Sequence, residues 1–158
     1  MINKMAVSNK KSDNDIIILQ GIPGSGKTTY ATKWVEESPE DRIRINRDDI
    51  RRMSGKYWVP SREEYITRVE DYVLTSAMSY GYDIIIDNMN LNHFTTDKIK
   101  EIVDKHNSSF NTNYHIGYIF LDTPLEECIA RDVNRVNSIG EETIRSIYNK
   151  YKHFYNHN

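Results

Sequence analysis

Gly21-Ile-Pro-Gly-Ser-Gly-Lys-Thr28 is the stretch that decides the fold of this chain. It matches the phosphate-binding pattern G-x-x-x-x-G-K-[ST] at every fixed position. An apolar run at residues 16–19 precedes it, and a helix is predicted from residue 27 to about residue 37. A strand, a glycine-rich loop and a helix in this order form the context in which the pattern holds phosphate groups. The stretch therefore predicts a nucleotide triphosphate site in an α/β fold.

The residue types of this loop suit a polyphosphate. Its glycines tolerate positive φ and carry no Cβ, so the backbone can wrap the phosphates closely. The following helix adds its positive N-terminal end. Lys27 can reach the β- and γ-phosphates of ATP, and the Thr28 hydroxyl can ligate Mg²⁺. The predicted nucleotide-binding residues of the loop are Gly21, Ile22, Pro23, Gly24, Ser25, Gly26, Lys27, Thr28 and Thr29.

Length and composition favour a single globular domain. The 158 residues suit one hydrophobic core, predicted over residues 15–158 after a polar, disordered arm at residues 1–14. No apolar run is long enough to span a membrane, and the N-terminus has no apolar signal core. The single Cys128 excludes an internal disulfide framework, so a reduced, cytoplasmic setting is expected. The oligomeric state stays open.

The remaining chain alternates strands with helices. Strands are predicted at residues 15–20, 42–46, 83–87 and 114–121. This order predicts a central parallel sheet of about four strands with helices on both faces. The helix before the third strand is predicted from the capping box Ser61-Arg-Glu-Glu64 to about Tyr80. The residues expected on or near its apolar face are Tyr65, Val69, Tyr72, Val73 and Ala77.

Charged residues at the ends of the strands are the candidates for chemistry, because open α/β sheets bind ligands there. Asp48 follows the second strand and could take a proton from an acceptor hydroxyl, with Arg51 one helical turn away. Asp49 is the rival for that role, and spacing alone does not separate the two neighbours. Asp87 ends the third strand, where a carboxylate can bind magnesium or its water.

Two groups of basic residues could bind phosphates. Arg131 and Arg135 are four apart on one predicted helix, and this region could close over the nucleotide and neutralise the transferred phosphoryl group. The second group precedes Tyr57 and Trp58, and arginines with aromatic rings suit a single-stranded nucleic acid. A charged face that is simply solvated would have the same composition. The members of the second group are Arg42, Arg44, Arg47, Arg51, Arg52 and Lys56. The net charge of −2 argues against a protein that coats duplex nucleic acid non-specifically, but it does not exclude an enzyme that grips one strand end with a local basic patch.

The ordered combination of these stretches resembles the kinase domain of phage-type polynucleotide 5′-hydroxyl kinases. The resemblance rests on the phosphate loop, on Ile45-Asn-Arg-Asp-Asp-Ile-Arg51, on Asp87-Asn-Met-Asn-Leu-Asn92 and on the helix with Arg131 and Arg135. It covers roughly residues 16–155. Many kinases share the phosphate loop, but the string Asn-Arg-Asp-Asp-x-x-Arg is more specific.

The resemblance implies a P-loop kinase that moves the γ-phosphate of ATP to the 5′-hydroxyl of DNA or RNA with the help of Mg²⁺. In that family pattern, Asp48 would be the general base, and Arg51 would hold the 3′-phosphate next to the acceptor hydroxyl. Arg135 would be the lid arginine, with Arg131 near the nucleotide, and Lys27 and Thr28 would bind phosphates and magnesium. The implied acceptor-binding residues are Arg47, Asp48, Arg51, Asn88 and Asn90.

The chain departs from the family pattern in two places. The familiar phage enzyme has Ser-Asp-Thr-Asn-Leu-Asn after its third strand, whereas this chain has Asp87-Asn-Met-Asn-Leu-Asn92. Either Asp87 or Asn88 could therefore take the role of the family carboxylate. The phage enzyme also continues into a 3′-phosphatase domain, for which this sequence has no room, so no 3′-phosphatase activity is expected.

Two other classes of function share parts of this pattern. A kinase for a small phosphorylated or sugar substrate would also carry a phosphate loop and an aspartate after the second strand. A nucleotide-binding regulatory protein that hydrolyses ATP slowly would need a water-positioning residue and a partner surface. No clear motif for either feature is present in the sequence.

Overall fold

The computed structural model describes residues 13–155, and most of the predicted N-terminal arm, residues 1–12, lies outside the described residues. The chain alternates strands and helices as predicted. The strands are β1 (Asp13–Gln20), β2 (Arg42–Ile45), β3 (Asp83–Ile86) and β4 (Asn113–Phe120). The helices are α1 (Lys27–Glu36), α2 (Arg47–Arg52), α3 (Glu63–Ser79), α4 (His93–Phe110), α5 (Leu125–Asp132) and α6 (Glu141–Lys150), with short 3₁₀ turns at Pro60–Arg62 and Lys152–Phe154.

The four strands form one parallel sheet in the order β2-β3-β1-β4, which confirms the predicted α/β class. Ile86 of β3 is in register with Ile18 of β1 and with Ile45 of β2. Because the strands are parallel and in register, their carboxyl ends lie along the same edge of the sheet. The phosphate loop after β1, Asp87 after β3 and α2 after β2 therefore meet at that edge.

Helices cover both faces of the sheet, because alternate strand residues point to opposite sides. Ile16 and Ile18 lie on one face in a core with α3 and α4. Leu19 and Ile85 lie on the other face and pack against Ala31 of α1. These strands are apolar on both faces, as expected for strands in the interior of a parallel sheet.

Two element boundaries differ from the sequence prediction. β1 begins at Asp13, because Asn14 and Asp15 hydrogen bond to Gly81 and Asp83 at the start of β3. The predicted capping box at Ser61 is wrong. A 3₁₀ turn begins at Pro60, and α3 begins only at Glu63 with no side-chain cap.

The predicted apolar face of α3 is also wrong in part. Tyr72 is 73% exposed and Tyr65 is similarly open to solvent. The predicted burial of Ala77 is confirmed, and Val73 packs against the same core. The other buried residues of the helix are Ile66, Leu74 and Met78. Tyrosine is amphipathic and tolerates a wet surface, whereas the aliphatic side chains of this helix gain more from burial.

The aromatic residues near the C-terminus pack inward. Phe120 of β4 contacts the rings of Phe154 and Tyr155, and Tyr148 contacts Tyr155. This cluster joins Ile22 of the phosphate loop to α5 and α6. Within residues 13–155, the helices are too short or too polar to cross a membrane.

Candidate active site

The phosphate loop has the backbone geometry that its glycines predict. Gly24 has φ +84, and a Cβ there would lie 2.4 Å from the carbonyl oxygen of Cys128 on α5. Gly26 has φ +96 and lies immediately before α1. Larger residues would therefore strain the loop at Gly26 and separate it from α5 at Gly24.

Lys27 folds back over this loop. Its Nζ donates hydrogen bonds to the carbonyl oxygens of Gly21 and Ile22, each at 2.9 Å. Burial lowers the pKa of Lys27 to about 8, although the charge of Asp87 raises it in part. Weaker effects come from Arg135, which lowers the pKa, and from Asp48, which raises it. The pKa of Lys27 is thus affected by predicted site residues that follow β3, lie in α2 and lie in the α5–α6 connection.

Thr28 and Asp87 form the metal-binding candidate. The Thr28 hydroxyl donates to Oδ2 of Asp87 at 2.9 Å, and Asp87 is only 1% exposed. Hydroxyl and carboxylate oxygens are the ligands that Mg²⁺ prefers, and Mg²⁺ commonly takes one or two from the protein and the rest from phosphates and water. The residues at this position therefore fit a magnesium ion bound with ATP.

The structure separates Asp87 from its neighbour Asn88. The Asp87 carboxylate points to the phosphate loop, as its bond to Thr28 shows. The Asn88 side chain points to α2 and α3, where it accepts from the Arg47 backbone N–H at 2.9 Å and donates to Glu70. Asp87 therefore faces the predicted metal position, whereas Asn88 faces the predicted acceptor-binding residues.

Helix α2 carries the two candidates for the general base. Its N-cap is Asn46, whose side chain accepts from the backbone N–H of Asp49. Oδ1 of Asp48 accepts from Arg51 Nη1 at 2.6 Å and from the Tyr57 hydroxyl at 2.7 Å. These contacts place Asp48 and Arg51 on one face of the helix, as their spacing predicts.

Asp49 faces a different group of residues. It accepts from Arg44 at 2.6 Å and from Arg52 at 2.8 Å. Arg44 also donates through Nε to Asp87 at 2.7 Å, so it bridges the ends of β3 and α2. This role of Arg44 is not visible in the sequence, because Asp87 is distant from it in the chain.

The predicted basic patch does not form one surface. Arg42 lies over the Trp34 ring at 4.5 Å and pairs with Glu37. Arg44 is committed to Asp49 and Asp87. Arg51 pairs with Asp48 and Glu63 and adjoins Trp58. These ion pairs divide the predicted patch among three separate environments.

Arg47 and Arg51 share the carboxylate of Glu63, a residue that the sequence predicts only as part of a helix cap. Glu63, the first residue of α3, accepts from Arg51 Nη2 and Nε at 2.5 and 3.1 Å. Arg47 also reaches Glu63, at 3.4 Å, and donates to Thr67. The guanidinium of Arg51 lies 5.4 Å from the centre of the Trp58 ring.

The two arginines predicted to form a lid occupy two different elements. Arg131, on α5, donates to the carbonyl oxygen of Gly24 at 3.3 Å and pairs with Glu127. The helix ends at Asp132, so Arg135 lies in the following turn and not on the same helical face as predicted. The buried Asp132 ends the helix because it accepts from Ser138, Ile139 and Gly140 of the α5–α6 connection.

A cleft of about 480 Å³ opens beside α2, between α3 and the start of α4. Arg47 and Asn88 line it together with Glu70, and Phe94 and Tyr151 are among its aromatic walls. Asn90 also lines the cleft, but its side-chain N–H groups bond to the backbone carbonyls of Leu19, Ile86 and Asn88. In this structure, Asn90 therefore holds the strand ends together.

Comparisons with known proteins place this site in a wider group. Residues 16–154 match the family described as AAA domain. An L-seryl-tRNA(Sec) kinase of Methanococcus maripaludis is 28% identical over 139 residues, which cover 86% of this chain and 52% of the relative. A candidate bifunctional polynucleotide kinase/RNA ligase of Autographa californica nuclear polyhedrosis virus is 29% identical over 167 residues, covering 94% of this chain and 22% of the relative.

Solved structures share the same fold. A chain in the structure of the Pnkp1/Rnl/Hen1 RNA repair complex has a TM-score of 0.67 and 24% sequence identity. The match covers 92% of this chain and 46% of that chain. The protein thus spans about half, or much less, of the longer proteins that it matches.

Proposed function

The chain belongs to the AAA domain family, and from that premise we propose that it is an ATP-dependent kinase for the 5′-hydroxyl end of a nucleic acid. The observation that carries the proposal is the chain of contacts that joins the phosphate loop to α2. Thr28 donates to Asp87, and Arg44 donates both to Asp87 and to Asp49, the neighbour of Asp48, so the proposed donor and acceptor residues lie at the same end of the sheet. The viral polynucleotide kinase relative and the RNA repair neighbour support a nucleic acid as the acceptor.

The proposed reaction is an in-line phosphoryl transfer. The acceptor oxygen forms a bond to the γ-phosphorus while the bond from that phosphorus to the β,γ-bridging oxygen breaks, and ADP leaves. Asp48 takes the proton of the acceptor hydroxyl, and its bonds to Arg51 and Tyr57 hold the carboxylate in place. Lys27 and Arg135 stabilise negative charge on the transferring group.

Thr28 and Asp87 would hold the magnesium ion of the nucleotide. When bound, the ion neutralises charge on the β- and γ-phosphates. Arg44 donates through Nε to Oδ2 of Asp87, the same oxygen that accepts from the Thr28 hydroxyl, and so helps to fix the carboxylate beside the loop. Asp87 would therefore offer a positioned oxygen to the metal.

On the acceptor side, we assign Arg51 to the phosphate next to the reacting hydroxyl. Arg47 and Asn88 face the cleft beside α2, and its volume of about 480 Å³ falls within the range of small-molecule sites. A nucleoside near the strand end would lie there against Phe94. Trp58 is 53% exposed beside Arg51 and offers a ring on which a base can stack.

The experiment that tests this proposal uses labelled ATP and a 5′-hydroxyl oligonucleotide. We expect the wild type to transfer label, and we expect Asp48→Asn to lower the rate by about 10²–10⁴-fold while ATP still binds. Asp49→Asn is the matched control, because it makes the same chemical change one residue away on the side facing Arg44. The absence of transfer by the wild type would refute the proposal, and a larger loss in Asp49→Asn would reassign the base.

The seryl-tRNA kinase relative favours a second candidate, a hydroxyl on an aminoacyl group at an RNA end. The same labelled assay separates the candidates if DNA, RNA, nucleoside 3′-phosphates, seryl-tRNA and small sugars are compared as acceptors. Label on seryl-tRNA or on a sugar, with none on 5′-hydroxyl ends, would support a different kinase. Release of phosphate with no labelled acceptor would support a regulatory ATPase.

A further inference from the structure

Glu63 lies against both arginines on the acceptor side of the site. Its Oε1 accepts from Arg51 Nη2 at 2.5 Å, and its Oε2 accepts from Arg51 Nε at 3.1 Å. Oε1 also lies 3.4 Å from Nη2 of Arg47. The carboxylate thus makes a bidentate contact with one edge of the Arg51 guanidinium. That edge matches a phosphate group as well as it matches a carboxylate.

The donors of Arg51 are largely used by these contacts. A guanidinium has five N–H groups. Two of them go to Glu63, and one on Nη1 goes to Asp48. The side of Arg51 that a phosphate would bind in bidentate fashion is therefore occupied by a carboxylate of the protein itself.

Carboxylates fully oppose the two arginines of this cluster. Arg51 pairs with Asp48 and Glu63, and Arg47 pairs with Glu63 and, at 3.9 Å, with Glu70. The hydrogen bonds from Arg51 hold the pKa of Glu63 below its usual value, so the carboxylate stays charged near neutral pH. An incoming phosphate therefore meets a neutralised pair of arginines.

We propose that Glu63 is a specificity-determining residue that competes with the acceptor phosphate for Arg51 and so weakens the binding of phosphate-bearing acceptors. The identity of the acceptor in this inference rests on the function proposed above. The opposite role would be that Glu63 holds Arg51 in the orientation that binds phosphate best. The two roles predict opposite signs for the effect of removing the carboxylate.

The test measures binding by isothermal titration calorimetry on the full chain, with uridine 3′-phosphate as the probe and uridine as its neutral counterpart. We expect Glu63→Gln to bind uridine 3′-phosphate about tenfold more tightly than the wild type, because one negative charge beside the phosphate is lost. Binding of uridine should not change. Steady-state transfer should show a lower KM for uridine 3′-phosphate, while the KM for ATP stays the same.

The matched control is Glu64→Gln. Glu64 is the next residue, its side chain is 80% exposed, and its partner is Arg68 on the same helix. We expect wild-type affinity for uridine 3′-phosphate in this variant. Glu63→Ala removes the carboxylate without introducing an amide and should tighten binding in the same direction. Thermal melting of each variant verifies that it is folded.

The result that would overturn the inference is weaker or unchanged binding of uridine 3′-phosphate in Glu63→Gln and Glu63→Ala. A lack of binding by every variant would overturn it as well. If the wild type binds the probe but transfers no label to any 5′-hydroxyl, the proposed reaction fails alone. The sign of the change in affinity then still decides the role of Glu63.

Discussion

Lys27 carries the amine that lies over the phosphate loop. Its amine bonds to two carbonyl oxygens of the loop, which hold it where the phosphates of ATP would bind. Burial lowers its pKa to about 8, so the free protein carries a mixture of charged and neutral amine near that pH. A triphosphate would favour the charged form, because an adjacent anion raises the pKa of a lysine.

This difference in pKa predicts proton uptake on ATP binding. At pH values near and above 8, binding converts neutral Lys27 to its charged form, so affinity for ATP should fall as the pH rises through about 8. Calorimetric titrations of ATP in buffers with different ionisation enthalpies measure the number of protons taken up. Lys27→Arg is the control, since arginine stays charged and should show no uptake from this position. Equal heats in all buffers for the wild type would contradict the prediction.

At the residue scale, the sequence predicts contacts within a short stretch better than contacts between distant ones. The pairing of Asp48 with Arg51 follows from their spacing on a helix. Glu63 was missed as a site residue, and Arg44 was predicted only as a member of the basic group, because their partners come from other elements. Only the packing of α3 on α2 and of β2 on β3 brings those charges together.

At the scale of elements, the connection between α5 and α6 is ordered by one buried carboxylate. Asp132 accepts from the Ser138 hydroxyl at 2.9 Å and from the Gly140 N–H at 2.9 Å. Burial raises the pKa of Asp132, but the hydrogen bonds from Gly140, Ile139 and Ser138 lower it overall. Asp132 therefore stays ionised and fixes both ends of the segment that carries Arg135.

Removal of this carboxylate should loosen the segment. In Asp132→Ala, the N–H groups of Ile139 and Gly140 lose their carboxylate acceptor, and each lost hydrogen bond costs about 0.5–1.5 kcal/mol, because both residues are open to water. We expect faster hydrogen exchange at these two amides and a kcat for label transfer that is lower by about 10–100-fold, with little change in ATP affinity. Ser138→Ala is the milder control, because it removes one of these bonds. Unchanged exchange in Asp132→Ala would contradict the assigned role.

The end of α5 shows why this element was only partly predicted. The spacing of Arg131 and Arg135 suits a continuous helix and predicts that both lie on one face of it. The structure ends the helix at Asp132, because its buried side chain accepts from the Ser138 hydroxyl and from the N–H groups of Ile139 and Gly140 in place of a further helical turn. Such a competition between local and nonlocal hydrogen bonds is not visible in periodicity.

At the scale of the whole molecule, α3 stabilises the sheet through aliphatic side chains. Leu74, Ala77 and Met78 are buried in the core that contains Ile16 and Ile84. The tyrosines on the opposite side of the helix face solvent. The prediction from composition failed here because tyrosine counts as apolar in a helical pattern but is stable at a wet surface.

Two substitutions separate these faces. Leu74→Ala should lower the free energy of unfolding by about 2–5 kcal/mol, because it leaves a cavity in the core. Tyr72→Ala should change it by no more than about 0.5 kcal/mol, since Tyr72 is exposed. Urea denaturation monitored by circular dichroism measures both. A large loss in Tyr72→Ala would show that this surface packs against a partner.

The fold class follows from the sequence, but the order of the strands does not. Apolar strands such as residues 83–86, which alternate with helices, are enough to predict a parallel sheet. The order β2-β3-β1-β4 depends on which strands pair, and β3 enters between β1 and β2 through hydrogen bonds across distant parts of the chain. Asp87 therefore comes to lie between the phosphate loop and α2, next to Thr28 and Arg44.

The position of β2 at the border of the sheet makes the molecule modular. Among residues 13–155, only β3 pairs with β2, so the hydrogen bonds that join β3, β1 and β4 do not depend on it. The nucleotide half belongs to the centre of the sheet, whereas Asp48 and Arg51 belong to the border. A new segment from α2 to the start of α3 could thus be grafted from a relative to exchange the acceptor, while β2 is kept because its Arg44 contacts Asp87 in the ATP-binding centre.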